Sequence, residues 1–314
     1  MKILITGGAG FLGKRLVARL LARADIDEIV LVDVAPAEGL ADPRVRTVAG
    51  DIADSTLMAS IVDSRTAGVF HLAAVVSGQA EADFELGMRI NLDASRLLLD
   101  LCRQRGHKPR VVFTSSVAVY GGDLPEVVTD DLALRPASSY GTQKAIAELL
   151  LADYSRRGFV DGRVLRLPTV SVRPGLPNRA ASSFASGIIR EPLNGEDAVC
   201  PVAPETRLWL LSPRCAIDCL VHGFDLDPGA FGRQRAINLP GIAVTAGEMV
   251  ASLRRVAGEE VASRVHWERD AAIERIVGTW PGAWNTARAE TLGFKGDANF
   301  EQVVRAYIAD DLRR

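Results

Sequence analysis

Short apolar runs alternate with longer amphipathic segments through the first half of the chain. Six runs, whose apolar residues are consecutive rather than alternating, predict strands at residues 2–6, 28–33, 45–49, 68–72, 110–116 and 162–168. Such strands are covered on both faces, as in a parallel sheet between two layers of helices. Segments with helical periodicity, such as LGKRLVARLLARA, lie between the runs. The pattern predicts an α/β fold with a Rossmann-type, doubly wound parallel sheet.

The alternation breaks after Pro168. A segment rich in Pro, Ser and Arg follows, and an irregular stretch extends to about residue 212. A helix and a strand then return to the earlier pattern, and short helices dominate from residue 241 to the end. We therefore expect two interleaved domains. The first comprises residues 1–167 and 213–240, and a smaller, substrate-binding domain comprises residues 168–212 and 241–314.

A glycine-rich turn, TGGAGFLG, follows the first strand and opens the first helix. Gly7 permits a tight turn, Gly10 lets a pyrophosphate approach the backbone, and Gly13 allows the helix to pack closely on the strand. The N–H groups of the first helical turn, which includes Phe11 and Leu12, favour a phosphate at the same place. A plain tight turn is the alternative. The strand before it and the helix after it favour dinucleotide binding by the first domain.

Asp33 ends the second strand, where a carboxylate accepts hydrogen bonds from the adenosine ribose and repels a 2′-phosphate. We therefore expect NAD rather than NADP; a surface residue at a strand end is the alternative. The stretches after the third and fourth strands should line the adenine and ribose side of the crevice. A helix N-cap is the alternative for Asp51, although Asp54 and Ser55 fit that role better. The candidates in these two stretches are Asp51, Ile52, Leu72, Ala73 and Ala74.

Three side chains carry the predicted chemistry. Ser116 ends the fifth strand, beside Ser115, and Tyr140 and Lys144 lie one turn apart on one helix face. A nearby ammonium favours the phenolate of tyrosine, whose ordinary pKa is about 10. The serine hydroxyl can then hold a substrate oxygen while the phenolate takes its proton. An exposed Tyr–Lys pair on a helix is the alternative.

These motifs, in this order, resemble the extended short-chain dehydrogenase/reductase family, which includes sugar-nucleotide epimerases. The matching stretches are TGGAGFLG, NLDASRLLLDLC, SSVAVYG, YGTQK and LGFKGDANFEQVV. The resemblance implies that Tyr140 is the catalytic base, that Lys144 is its partner and a ribose ligand, and that Ser116 is the catalytic hydroxyl. It places Asn91 near the active site, with a helix start as the alternative, and Pro168 beside the cofactor. It also implies a homodimer formed through the two long helices.

The substrate segment departs from the sugar-nucleotide enzymes. Pro168 and Thr169 stand where those enzymes have polar contacts, and Pro213 and Arg214 replace an acidic pair. The block from SVRPGLPNRAASSFASGIIREPLNGEDAVCPV through ETRLWLLSPRCAID resembles the D-erythronate dehydrogenase group. That resemblance implies NAD-dependent oxidation of the C2 hydroxyl of a four-carbon sugar acid to the 2-keto acid. A nucleotide-sugar epimerase or reductase is the alternative, and a catalytically silent NAD sensor is a third.

A small acid requires a cation for its carboxylate, and arginine offers a bidentate fork. Arg173, Arg179 and Arg207 are the candidates, and for each a salt bridge is the alternative. Ser77, after the fourth strand, is a candidate for the carboxylate or a hydroxyl. Together with Ser116 and Tyr140 these residues form the predicted substrate site.

Composition excludes several other classes of function. The 314 residues carry a net charge of −2 with no basic stripe, so we expect no nucleic-acid partner. No apolar run approaches the roughly 20 residues of a membrane helix, and no signal peptide is recognisable. The four cysteines lack zinc spacing and the four histidines form no cluster, so we expect no metal. These features predict a cytoplasmic protein with reduced thiols.

Overall fold

The structure is a computed structural model that describes residues 1–37, 39, 41–176, 180–278 and 280–312. Its strands are β1 (Lys2–Thr6), β2 (Glu28–Asp33), β3 (Val45–Ala49), β4 (Thr66–His71), β5 (Arg110–Ser116), β6 (Val127–Val128), β7 (Asp161–Leu167), β8 (Thr169–Val170), β9 (Ala198–Cys200), β10 (Arg207–Leu211), β11 (Ala236–Asn238), β12 (Ile242–Thr245), β13 (Val265–Trp267) and β14 (Ala283–Trp284).

The α-helices are α1 (Phe11–Leu21), α2 (Ser55–Ile61), α3 (Ser77–Ala82), α4 (Phe84–Gly87), α5 (Ala94–Arg105), α6 (Ser139–Arg156), α7 (Phe184–Leu193), α8 (Pro213–Asp225), α9 (Ala246–Ala257), α10 (Glu259–Ala262), α11 (Ala271–Val277), α12 (Ala287–Thr291) and α13 (Phe300–Asp310). A π-helical turn, Met88–Asp93, precedes α5. Short 3₁₀ turns occur at Val117–Val119 and Ala181–Ser183. Within the described ranges, no helix is both long and apolar enough to span a membrane.

Seven strands form the main sheet, in the order β11–β7–β5–β4–β1–β2–β3. The pairs β1–β2, β2–β3, β1–β4 and β4–β5 are all parallel. Every residue of β1 is buried, as its consecutive apolar residues predict, whereas the edge strand β3 is partly exposed. The predicted Rossmann-type α/β fold is confirmed. The strand order reverses at β1, and ligands of such sheets bind at the carboxyl ends of the strands beside the reversal.

The chain divides into two compact units. The first unit comprises residues 1–119, 136–166 and 217–237, and the second comprises 120–135, 167–216 and 238–314. The sequence assigned 120–135 to the first domain, but β6 lies in this segment and pairs with β14, more than 150 residues further along the chain. A two-residue strand with so distant a partner leaves no local pattern, so the sequence could not place it.

The core of the first unit contains side chains of the main sheet and of the helices α2, α5 and α6, among them Leu4, Val69, Leu98 and Leu151. The second unit contains three small sheets, ordered β12–β10–β8, β13–β9 and β14–β6. Its core includes residues of α7, α9 and α13. The stretch that the sequence left irregular up to residue 212 contains the helix α7, where NRAASSFASGIIRE has amphipathic periodicity, and the strands β8, β9 and β10, which are too short for periodicity to reveal.

Candidate active site

The glycine-rich turn meets the segment after β4 at the reversal of the sheet. Gly7 has a φ of +73°, and a β-carbon there would lie 2.7 Å from the backbone nitrogen of Ala73. A β-carbon at Gly13 would lie 2.5 Å from the carbonyl oxygen of Gly7. The first turn of α1 can therefore pack against the glycine-rich turn only if residue 13 is a glycine. Ala73 donates its N–H to the Thr6 hydroxyl at 3.2 Å. Gly7 and Gly13 thus lie as the dinucleotide motif requires.

The N-terminus of α1 fits a pyrophosphate. Gly10 is its N-cap, is exposed and provides no side-chain cap, and no acidic residue occurs in the first turn. The N–H groups of that turn, at Phe11, Leu12 and Gly13, have no carbonyl partner within an α-helix. Gly10 therefore leaves this positive end of the helix accessible to an anion.

Asp33 lies at the carboxyl end of β2 with its carboxylate fixed by two backbone amides. Ala9 donates to Oδ2 at 3.0 Å and Ala35 donates to Oδ1 at 3.2 Å. Among the described residues, no cation forms an ion pair with it. The carboxylate is half-buried, oriented and unpaired, which fits a ribose diol.

Asp51 and Ile52 differ in what they can contact. The Asp51 carboxylate forms an ion pair with Arg89 and accepts the Ala53 N–H at 2.8 Å, and its pKa is lowered because these interactions outweigh its burial. Asp54, not Asp51, caps α2. Ile52 is 5% exposed and packs in the core, so its side chain is not available to a ligand.

The half-buried Leu72, Ala73 and Ala74 directly follow β4. Asn91 lies inside the π-helical turn and is 1% exposed, so it is not a helix start. It binds both backbone groups of Val75, at 2.8 and 3.1 Å, and donates to Oε1 of Gln143 at 2.8 Å. The sequence does not single out Gln143 as a partner of Asn91. Its position next to Lys144 on the buried face of α6 is the signal that points to it.

Ser116, Tyr140 and Lys144 are brought together by β5 and α6 in the first unit. Ser138 caps α6, and its hydroxyl accepts the Gly141 N–H at 3.1 Å. A β-carbon at Gly141 would overlap the carbonyl oxygen of Ala118, so glycine lets the first turn of α6 approach the end of β5. The Ser116 and Tyr140 side chains consequently interact.

Burial controls the protonation of both α6 residues. It raises the pKa of Tyr140 to about 12, although the hydrogen bond with Ser116 lowers it. It lowers the pKa of Lys144 to about 7, against the opposing charge of Glu148. The Lys144 ammonium donates to the Thr114 carbonyl at 2.9 Å and lies 5.7 Å from the centre of the Tyr140 ring. The sequence predicts a tyrosine pKa lowered by the lysine; in the protein alone burial is the largest influence, and the pKa is raised.

The predicted substrate residues are distributed over both units. Ser77 begins α3 in the first unit, whereas Pro168, which is buried, and the arginines lie in the second. Arg179 lies outside the described residues. Arg207 is exposed. Its positive charge adds to the hydrogen bonds with Thr245 in lowering the pKa of Glu248.

Arg173 lies beside another positive charge. Its guanidinium is half-buried, and burial followed by the charge of Arg190 lowers its pKa. Its N–H donates to the Ser186 hydroxyl at 3.0 Å, and its carbonyl accepts from Arg190 at 2.8 Å. No carboxylate among the described residues forms an ion pair with Arg173. A search of the same residues finds no group of three His, Cys, Asp or Glu side chains placed to bind a metal.

Comparison with known proteins identifies the family. The NAD dependent epimerase/dehydratase family model matches residues 3–209. A D-erythronate dehydrogenase of Cupriavidus necator is 63% identical over 319 residues, with 99% of this chain and 98% of the relative covered. One from Haemophilus influenzae is 47% identical, with 99% and 100% covered. The crystal structure of a nucleoside-diphosphate-sugar epimerase from Agrobacterium tumefaciens has a TM-score of 0.95 and 44% identity, with 99% of this chain and 94% of that one covered.

The two matched D-erythronate dehydrogenases cover 99% of this chain, which includes the glycine-rich turn and the Tyr140–Lys144 pair. They confirm a dehydrogenase that acts on a CH–OH group, and they confirm a nicotinamide cofactor. The chain belongs to the NAD-dependent epimerase/dehydratase family, within the extended short-chain dehydrogenases/reductases.

Proposed function

We propose that the chain oxidises the C2 hydroxyl of a small sugar acid, D-erythronate or a near relative, to the 2-keto acid, with NAD as the hydride acceptor. The observation that carries the proposal is the convergence of Ser116, Tyr140 and Lys144 at the end of β5. The names of the two relatives, each matched over almost its full length, support the substrate.

In this mechanism Ser116 orients the substrate hydroxyl and Tyr140 Oη takes its proton. Bound NAD supplies the acceptor for the hydride that leaves C2. Tyr140 must first lose its own proton, which burial alone opposes. A positive charge on Lys144 favours that loss, because it stabilises the phenolate in a medium of low dielectric constant.

The cofactor site would consist of the turn Gly7–Gly13, the carboxylate of Asp33 and the segment Leu72–Ala74, with Asn91 fixing the adjacent backbone. The half-buried, unpaired guanidinium of Arg173 is the best candidate for the substrate carboxylate. Pro168 remains a predicted contact of the cofactor, and Ser77 and Arg207 remain predicted contacts of the substrate.

We also propose a homodimer through α5 and α6. Leu149 on α6 is 66% exposed and Ile146, on the same helix, is 37% exposed, so this face carries apolar area that a second copy can cover. Sedimentation velocity at micromolar concentration should give the mass of two chains; a single-chain mass would contradict the proposal.

The central test is NADH formation with D-erythronate and its stereoisomers. Tyr140→Phe should lower kcat by about 10²–10⁴-fold, because the general base is lost while the binding groups remain. NADH binding, measured by fluorescence, should persist in the variant. This control shows whether the cofactor site is intact. Unchanged turnover in Tyr140→Phe would remove the tyrosine from the mechanism.

The second candidate is a nucleotide-sugar epimerase, which the name of the Agrobacterium tumefaciens structure favours. Stabilisation of the protein by UDP- or GDP-sugars at micromolar concentration, without NADH formation from any sugar acid, would replace the first proposal by this one.

A further inference from the structure

Helix α6 carries a third functional group in line with the two predicted catalytic ones. Glu148 follows Lys144 by four residues, as Lys144 follows Tyr140, so all three share one face of the helix. Glu148 is 3% exposed and Lys144 is 2% exposed. A buried carboxylate is costly unless it is compensated, so its position here requires an explanation.

Arg166 on β7 supplies the compensation. This arginine is 4% exposed, and its Nε donates to both oxygens of Glu148 at 3.1 Å while one Nη donates at 2.8 Å. Such a fork fixes both the charge and the orientation of the carboxylate. Glu148 is therefore a rigid negative charge one turn beyond Lys144.

Lys144 needs such a charge to remain an ammonium. Its surroundings provide the Thr114 carbonyl at 2.9 Å and the face of the Phe113 ring at 4.6 Å. Burial still lowers its pKa to about 7, and the charge of Glu148 is the influence that opposes this. Loss of the Glu148 charge would therefore favour the neutral amine of Lys144.

The other titratable groups on elements that pack against α6 do not replace Glu148. His71 on β4 is buried and neutral at physiological pH, because burial and then the Lys144 charge lower its pKa to about 3. Asp83, Glu85, Asp93 and Arg96 are exposed. The other groups on these elements are engaged elsewhere or neutral: Glu81 with the Ser139 N–H, Asp100 with the Tyr154 hydroxyl and Arg103, Arg105 with the Val62 and Ala59 carbonyls, Arg89 with Asp51, Arg110 over the Phe224 ring, and the Cys102 thiol, whose pKa burial raises to about 12.

We propose that Glu148, held by Arg166, is a positioning residue that keeps Lys144 positively charged beside Tyr140. The inference rests on the proposed function insofar as Lys144 assists the tyrosine. It adds that the charge of the lysine is maintained from outside the three predicted catalytic residues, by an ion pair between α6 and β7.

The test is a ¹³C-lysine NMR titration of the cofactor-free protein. The chain has five lysines, Lys2, Lys14, Lys108, Lys144 and Lys295, so the spectrum is simple, and Lys144→Arg assigns the signal. Glu148→Gln should lower the pKa of Lys144 by about one unit or more, because a favourable charge is lost. Asp153→Asn removes an exposed carboxylate from the same helix and should leave the titration unchanged.

Glu148→Gln removes the carboxylate that binds Arg166 and can unfold the protein, so the double variant Glu148→Gln/Arg166→Gln is measured beside it. The lysine pKa should fall in the double variant as well, but by less, because the positive charge of Arg166 is lost together with the carboxylate. Glu148→Asp, which keeps the charge, should retain most of the wild-type value. An unchanged Lys144 titration in Glu148→Gln, or in the double variant if the single variant does not fold, would overturn the proposal.

Activity gives an independent readout. In Glu148→Gln the acidic limb of the pH profile of kcat should move to higher pH, since a neutral lysine no longer favours the phenolate, while KM changes little. If the NMR titration shifts but the wild-type protein oxidises no sugar acid, the proposed function fails and the positioning role of Glu148 stands.

Discussion

The buried carboxylates of the first unit and Arg173 of the second unit differ in how their charge is compensated. In the first unit the buried carboxylates have arginine partners within the unit: Glu148 pairs with Arg166, and Asp161 pairs with both Arg163 and Arg235. In the second unit, Arg173 is half-buried beside a like charge and has no carboxylate partner among the described residues. Removing one partner of a buried pair costs stability because it leaves the other charge uncompensated, whereas a charge without a partner favours an external counter-ion.

Asp33 is the counterpart of Arg173 in the first unit. Two backbone amides orient its carboxylate, and no described cation pairs with it. The contrast is thus between charges that another residue of the chain neutralises and charges that no described residue neutralises. Replacing a residue of a neutralised pair should reduce stability, whereas replacing Asp33 or Arg173 should change the binding of a ligand.

The largest effect is expected at Asp161, which is 5% exposed and lies between two arginines. Asp161→Asn leaves Arg163, which is fully buried, without its carboxylate. We expect the free energy of unfolding in urea to fall by about 3–5 kcal/mol. Asp153→Asn, which breaks an ion pair with 54% and 71% exposed side chains, should cost at most about 1 kcal/mol. Equal losses in the two variants would contradict the contrast.

A smaller effect, on binding alone, is expected at Arg173. Arg173→Met should raise KM for D-erythronate by about 10–100-fold, because a charge-assisted hydrogen bond to the carboxylate is lost. Thermal stability should be kept or should rise, since the repulsion from Arg190 disappears. Arg305→Met, at a site whose side chain is 63% exposed, is the matched control and should change KM by less than about threefold. An equal rise of KM in the two variants would contradict the role of Arg173.

The sequence alone predicted the first unit more completely than the second. Strands β1, β2, β3 and β5 have the predicted bounds; in β1, β2 and β5 the apolar runs record burial directly, whereas β3 is a partly exposed edge strand. The pairing of β6 with β14 and the choice among three arginines depend on partners distant in the chain. The raised pKa of Tyr140 was also beyond the sequence, since a helix spacing reports the neighbour of a phenol but not its burial.

The smallest of these effects is expected at Asp33, and it concerns cofactor choice. Asp33→Asn keeps one oxygen, which can accept from the Ala9 or the Ala35 amide but not from both, and it removes the charge that would repel a 2′-phosphate. The ratio of kcat/KM for NAD to that for NADP should fall by about tenfold, equivalent to about 1.4 kcal/mol. The free energy of unfolding should fall by about 1 kcal/mol at most, because one amide hydrogen bond is lost and no cation loses its partner. If the wild-type protein has equal kcat/KM for NADP and NAD, the carboxylate of Asp33 does not select the cofactor. The contrast between neutralised and unneutralised charges then holds for Arg173 alone.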